Sequence, residues 1–245
     1  MTETVFISMM TGLTTLLGSM VILFIGPPGR KLLAFYLGLS AGVMTLVIFV
    51  DLLPASLRDE DVYGALLGCC AGVACLMFVH KAADFAQRKT GNGRNDSEGM
   101  WRKAGWMMTI AIAMHHIPEG IAIGAGFQAH ESIGVMIALS MSLHNIPEGI
   151  GFTVPLLMGR IPKLVILLLA FIISLCIPLG AWLGELYFSS TPWAITFGLA
   201  FAAGAMAYIV WKEIAPSGLK QDRLSAQAGM LAGLAVMVAL HLLEG

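Results

Sequence analysis

Apolar residues fall in eight long, nearly unbroken runs, at about 4–26, 31–53, 62–82, 104–127, 131–157, 162–186, 191–213 and 225–243. Each is close to the ~20 residues that an α-helix needs to cross the hydrocarbon of a bilayer. The runs are continuous, not alternating, and too long for the ~10-residue strands of a membrane barrel. The expected fold class is therefore all-α, a polytopic membrane protein of eight transmembrane helices. The polar breaks are short, with one exception. Residues 84–103 contain TGNGRNDSEG and read as a flexible loop between spans three and four of a single transmembrane domain, 1–245.

Composition agrees with this pattern. Hydrophobic residues make up 58% of the chain and charged residues 12%, about half the usual soluble share. A soluble core of this size cannot hide so much apolar surface, which leaves the integral membrane class. A secreted disulfide scaffold, a disordered chain and a nucleic-acid binder are excluded. The formal net charge of −1 gives no field that would recruit polyanions. Cys69, Cys70, Cys75 and Cys176 lie in apolar runs without ligand spacing and read as small core residues. No basic region precedes the first apolar stretch, so no cleaved signal is expected.

Charge gives the orientation. Loops one, three, five and seven hold 13 of the 14 basic residues, and Arg58 alone lies on the other side. By the positive-inside rule those four loops, including 84–103, are cytoplasmic, and both termini are outside. The outer turn at Asp59, Glu60 and Asp61 reads either as an ordinary solvated turn or as a funnel for cations.

Two inverted repeats are visible. An offset of 162 residues places Gly42 on Gly204, Met44 on Met206, Asp51 on Glu213 and Pro54 on Pro216, relating span two to span seven. An offset of 29 places His115-His116-Ile117-Pro118-Glu119-Gly120 on His144-Asn145-Ile146-Pro147-Glu148-Gly149, relating spans four and five. Both pairs of spans are antiparallel, a pattern common in secondary transporters.

The most polar residues thus sit at the bilayer centre, where a charged side chain costs ~3 kcal/mol on insertion scales. His115 and Glu119 share one helix face at i and i+4, as do His144 and Glu148. Antiparallel packing sets His115 level with Glu148 and Glu119 level with His144. His116 and Asn145, one position on, line the flank. Such a nitrogen–oxygen shell suits zinc, and also iron, manganese, cobalt or cadmium. Pro118 and Pro147 free the carbonyls of Met114 and Leu143 and kink the pair where the ligands point. Gly120 and Gly124 offer a surface for close helix approach. The bland alternative, His and Glu pairing only to lock a bundle, fits one such motif better than two at matching depth.

The doubled H-[HN]-I-P-E-G pattern, the eight spans and the inverted repeats resemble the ZRT/IRT-like (ZIP) metal transporters, with the bacterial zinc-uptake and GufA-like branches nearest. The resemblance covers nearly the whole chain. It implies movement of divalent metal into the cytosol across the cell membrane, with zinc as transported substrate and no organic cofactor. Partners would be metal ions and the lipid bilayer, with a homodimer left open and no nucleic acid. His115, Glu119, His144 and Glu148 match the family's primary metal site. His116 and Asn145, with the two glutamates, match its second, and Asp51 and Glu213 match acidic residues on the way in and out. Ile177 stands where span six often supplies a carboxylate, and Lys212 where a ligand is often found. The expectation is one strong site, a weak or absent second one, and a doubtful metal station at the way out.

A competing reading is an intramembrane zinc hydrolase, with a metal on His115 and His144 and a glutamate as base. The absence of HExxH and the symmetry of the polar groups speak against it. A third is a structural bundle with a tightly held metal and no flux. The chain has no G-x-x-x-x-G-K-[ST], so no ATP-driven step is expected. His80 and His241 read as interfacial or core residues. His130 and Glu131 are placed to meet an arriving cation, Glu185 to snorkel, and Met44 and Met206 to line the pathway.

Overall fold

Each apolar run winds into a helix, and the polar residues between runs start or stop it. The computed structural model describes residues 2–57, 61–89, 97–188 and 191–244. Helices α1 (Thr2–Ile25), α2 (Arg30–Ser56), α3 (Val62–Lys89), α4 (Ser97–Ala129) and α5 (Glu131–Met158) come first. They are followed by α6 in two pieces, α6a (Lys163–Ser174) and α6b (Cys176–Phe188), then α7 (Pro192–Gln221) and α8 (Arg223–Glu244). Among the described residues there is no strand.

Among the described residues, six helices, α1, α2, α4, α6, α7 and α8, are long and apolar enough to cross a membrane. The chain is therefore an all-α, multi-pass membrane protein. Helix α3 offers Val62–Phe78 as its apolar stretch, and α5 carries His144, Asn145 and Glu148.

Several ends are capped as short polar side chains dictate. Asp61 Oδ1 accepts from Gly64 N (2.9 Å) to open α3, and Thr191 Oγ1 from Ala194 N (3.2 Å) to open α7, with Pro192 behind it. Asp61 thus has a structural task, while Arg58, Asp59, Glu60 and Arg94 lie outside the described residues. His130, expected to meet a cation, caps α5 by accepting from Ser132 N (3.3 Å). After α1, Gly26 turns the chain at φ +99°, a conformation glycine adopts without strain, and two prolines prevent helix from continuing.

The basic loops lie together. Arg160 pairs with Glu98 (2.8 Å), joining loops three and five, and Lys163 Nζ donates to Leu23 O (2.8 Å) at the end of α1. Asp222 joins the same face. Its carboxyl is held below its ordinary value first by hydrogen bonds from Ser225, then by the charges of Lys31 and Arg30.

Packing extends the repeat seen in the sequence to the whole chain. Helix α2 lies against α8 and α3 against α7, while α1 lies against α5 and α4 against α6b. Each contact has its mate. At Gly18 a Cβ would strike Ile146 O, and at Gly180, 162 residues on, Ile117 O. Gly42 abuts Met230 O and Gly204 abuts Cys69 O in the same manner. Both members of the α2/α7 pair also loosen into a π-helical turn, at Val47–Leu52 and Val210–Ile214. Three helices, an antiparallel pair, and three more are thus related by an inverted two-fold.

The largest apolar core lies in the half of α4 and α5 toward the α4–α5 turn. There Met44, Ile48, Ile123, Ile137, Met141 and Leu199 are fully buried against one another.

Candidate metal centre

Helices α4 and α5 cross antiparallel and bring the two polar motifs to one level. His115 Nε2 lies 3.0 Å from Glu148 Oε2, and His144 Nε2 lies 3.1 Å from Glu119 Oε1. These are the cross-pairs that the spacing predicts. His115 Nε2 is also 3.9 Å from Glu119 Oε1. His116 turns its Nε2 inward as well, 3.5 Å from Glu148 Oε2 and 3.8 Å from Glu119 Oε2. All five side chains are buried.

The donors form two overlapping groups. The ligand atoms of His115, His116 and Glu148 lie within 4.8 Å of one another, and so do those of Glu119, His144 and Glu148. Glu148 belongs to both. The expectation paired His116 with Asn145. Instead His116 stands beside His115, while Asn145 Nδ2 donates to Thr11 O of α1 (3.1 Å).

Outer hydrogen bonds set which ring nitrogens face the centre. His144 Nδ1 lies 3.2 Å from Ser140 O, one turn back in α5. His116 Nδ1 lies 3.1 Å from Ile173 O, where α6 breaks ahead of Pro178. A carbonyl only accepts, so each Nδ1 carries the hydrogen and each Nε2 presents a lone pair to a carboxylate. Two lone pairs at ~3 Å repel unless a second ring proton or a shared cation lies between them. Four buried atoms of the cluster, His115 Nδ1, His116 Nε2, Glu119 Oε2 and Glu148 Oε1, have no hydrogen-bond partner among the described residues. Orphans in such number are costly in a low-dielectric interior and mark the chemistry of a cation site.

Helices α4 and α5 continue through Pro118 and Pro147. Gly120 and Gly124 do allow close approach, but to α6b, at Ile177 O and Ala181 O. Ile177 itself is fully buried in the apolar core.

The sequence as a whole points the same way. A family model described as ZIP Zinc transporter matches residues 80–241. This chain belongs to the ZIP zinc transporter family. It is similar to a protein named zinc transporter ZupT from Corynebacterium aurimucosum, at 33% identity over 94% of this chain and 92% of that one. Proteins of the same name from Chlorobium phaeovibrioides (33% identical, 97% and 96% covered) and Stenotrophomonas maltophilia (29%, 94% and 91%) are alike in extent.

Among the described residues, the cavities that reach the centre of this ZIP chain open toward the face of the basic loops. A cavity of about 60 Å³ is lined by His115, Glu148, Leu37, Met108, Ile112 and Glu213. It adjoins a second of about 210 Å³ lined by His80, Glu213, Met107, Met114, Tyr208 and Lys212. Both lie toward the face of the basic loops. On the opposite side the core around Met44, Ile137 and Met141 is closed. Glu213 thus borders the open route and Asp51 lies beyond the closed core.

Each of these two acids has a histidine partner that sequence reasoning missed. Glu213 Oε1 is 2.7 Å from His80 Nδ1 of α3, and Asp51 Oδ1 is 2.8 Å from His241 Nε2 of α8. One signal was present, since His80 and His241 are 161 residues apart, nearly the offset of Asp51 and Glu213.

Proposed function

We propose that the protein carries divalent transition-metal ions, zinc foremost, through the α4/α5 cluster and into the cytosol. The observation that carries this reading is the set of buried ligand atoms on His116, Glu119 and Glu148 with no hydrogen-bond partner among the described residues, beside a cavity that opens toward the face of the basic loops. A transport site must exchange its ligands readily and open to one side at a time, whereas a closed structural shell holds its ion. Family membership and the names of the relatives support transport of zinc over catalysis.

In this reading His115, His116, Glu119, His144 and Glu148 ligate the ion. Asn145, anchored on Thr11, offers its buried Oδ1 at the flank. The same mixed shell admits iron, manganese, cobalt or cadmium, and needs no organic cofactor. An ion arrives past Asp51 and departs past Glu213. The membrane potential favours inward movement by ~2.3 kcal/mol per charge per ~100 mV, and by about twice that for a divalent ion.

All eight helices span the bilayer of the cell membrane as one domain, residues 1–245. The segment 84–103 is cytoplasmic and both termini are outside. The clustering of the basic loops on one face supports this orientation. Whether the carrier works singly or as a homodimer decides none of these steps.

Uptake of radioactive zinc into proteoliposomes, with iron, manganese, cobalt and cadmium as competitors, tests the reading. Uptake by the wild type and background flux by an equally well inserted Glu119→Ala variant are expected. Normal flux through Glu119→Ala would overturn it. An intramembrane hydrolase, by contrast, moves no metal on its own.

A further inference from the structure

We infer that Thr15 of α1 is a specificity-determining residue of the metal centre. Its hydroxyl and the Oδ1 of Asn145 form an all-oxygen flank that holds a water on the bound ion, and this flank favours manganese relative to zinc. The role deepens the transport reading and rests on it for its purpose.

The flank is set by a pair of equivalent hydrogen bonds. Asn145 Nδ2 donates to Thr11 O of α1 (3.1 Å), and His116 Nδ1 donates to Ile173 O of α6 (3.1 Å). Asn145 follows His116 by 29 residues and Ile173 follows Thr11 by 162, so the two bonds are mates under the inverted repeat. Each side chain thus turns its other polar atom away from the same kind of anchor. For His116 that atom is Nε2, 3.5 Å from Glu148 Oε2 and 3.8 Å from Glu119 Oε2. For Asn145 it is Oδ1, an acceptor that is buried and has no hydrogen-bond partner among the described residues. The two-fold that exchanges α4 with α5 sends this oxygen to the matching side of the two glutamates.

Thr15 comes next on that side. It follows Thr11 by one turn, and its carbonyl lies against Gly149, one turn after Asn145. Its mate, 162 residues on, is Ile177, so an aliphatic side chain near His116 is replaced by a hydroxyl near Asn145. A hydroxyl inside a helix commonly donates to the carbonyl four residues back, as Thr109 and Ser140 do. For Thr15 that carbonyl is Thr11 O, which already accepts from Asn145 and from Thr14 Oγ1 (2.6 Å). Thr15 Oγ1 is left fully buried, with no hydrogen-bond partner among the described residues. A hydroxyl and an amide oxygen, both unspent, are the partners that a buried water needs. Zinc is satisfied by four ligands, which the histidines and glutamates supply, whereas manganese takes six and prefers oxygen. A water fixed at the flank therefore adds more to manganese than to zinc. Thr153 offers a control. Its hydroxyl is also buried and unpartnered among the described residues, but it lies eight residues beyond Asn145, about 12 Å along α5 and out of reach of the ion.

The test uses the purified full chain, with manganese binding followed by electron paramagnetic resonance and zinc binding by competition. Thr15→Val keeps the shape and removes the hydroxyl. It is expected to bind manganese ~10-fold more weakly, as loss of an outer partner usually does, with zinc affinity unchanged. Thr15→Ser should restore manganese binding, and Thr153→Val should leave it intact. In water enriched in the magnetic oxygen isotope, the bound-manganese lines should broaden in the wild type and less in Thr15→Val. Wild-type manganese affinity in Thr15→Val, an equal loss of both metals in monodisperse protein, a Thr15→Ser variant no better than Thr15→Val, or the same loss in Thr153→Val overturns the inference. Wild-type protein that shows the Thr15-dependent preference yet moves neither metal into proteoliposomes would instead sink the transport reading and leave the flank standing.

Discussion

His116 Nδ1 lies 3.1 Å from the carbonyl oxygen of Ile173, at the point where α6 stops and restarts. In an unbroken helix that carbonyl would accept from the N–H of Ile177. The carbonyl stands at the interruption ahead of Pro178 and orients the imidazole, so the course of one helix aims a ligand in another.

Restoring the helix should therefore weaken metal binding without touching a ligand. Pro178→Ala lets α6 run through, shifts the Ile173 carbonyl relative to His116, and is expected to lower zinc affinity up to ~10–100-fold, the usual effect of losing such an outer partner. Isothermal titration of the purified variant reads this directly. Unchanged affinity would sever the link between the break and the site.

The two glutamates should not be equivalent in binding. Glu148 belongs to both ligand groups, whereas Glu119 belongs to one. Glu148→Ala is expected to abolish zinc binding at the cluster. Glu119→Ala should retain a weaker site on His115, His116 and Glu148, although neither variant transports. Titration of both proteins in detergent, beside a flux assay, distinguishes the two patterns.

Accessibility should follow the cavities. In a chain freed of its four cysteines, Ser217→Cys, on both cavity walls, should react with a membrane-impermeant maleimide added from the basic face. Met141→Cys, buried in the closed core, should not react from either face in this state. Labelling of Met141→Cys together with protection of Ser217→Cys would mean that the carrier rests open on the other side.

Close packing makes one further demand. A Cβ at Gly149 meets Thr15 O of α1 with no room to yield, and the mate position Gly120 meets Ile177 O. Gly149→Val should force α1 and α5 apart and cost ~1–3 kcal/mol, as overpacking does. A lower melting temperature in detergent is the readout. Asn145→Ala should cost ~1–3 kcal/mol as well, because the Thr11 carbonyl then loses its donor.

Much of the centre was legible in the sequence because its information is local. Four-residue spacing put His115 with Glu119 and His144 with Glu148, and the antiparallel sense of the two helices then fixed the cross-pairs. The side of the flanking residues was not legible. Asn145 reached α1 and His116 stayed with the cluster because Thr11 O and Ile173 O lie where only the packed bundle places them. The partners of Asp51 and Glu213 escaped for the same reason. A lone histidine near a helix end carries no period, and its meaning appears only when α8 meets α2 and α3 meets α7. The repeat of α1 on α6 was hidden too, since backbone contacts at Gly18 and Gly180 leave little trace in side-chain identity.

The asymmetry between cavity and core has a consequence for the state not captured. Leu37, Met108 and Ile112 border the cavity, and their repeat mates Leu199, Ile137 and Met141 are sealed in the core. Identical stations along the fold are thus slack in one half of the molecule and tight in the other. If the halves trade these roles, the ligands come to face the far side with no new type of contact having to be invented. Loading and unloading then become one event viewed from opposite ends of the same pseudo-axis.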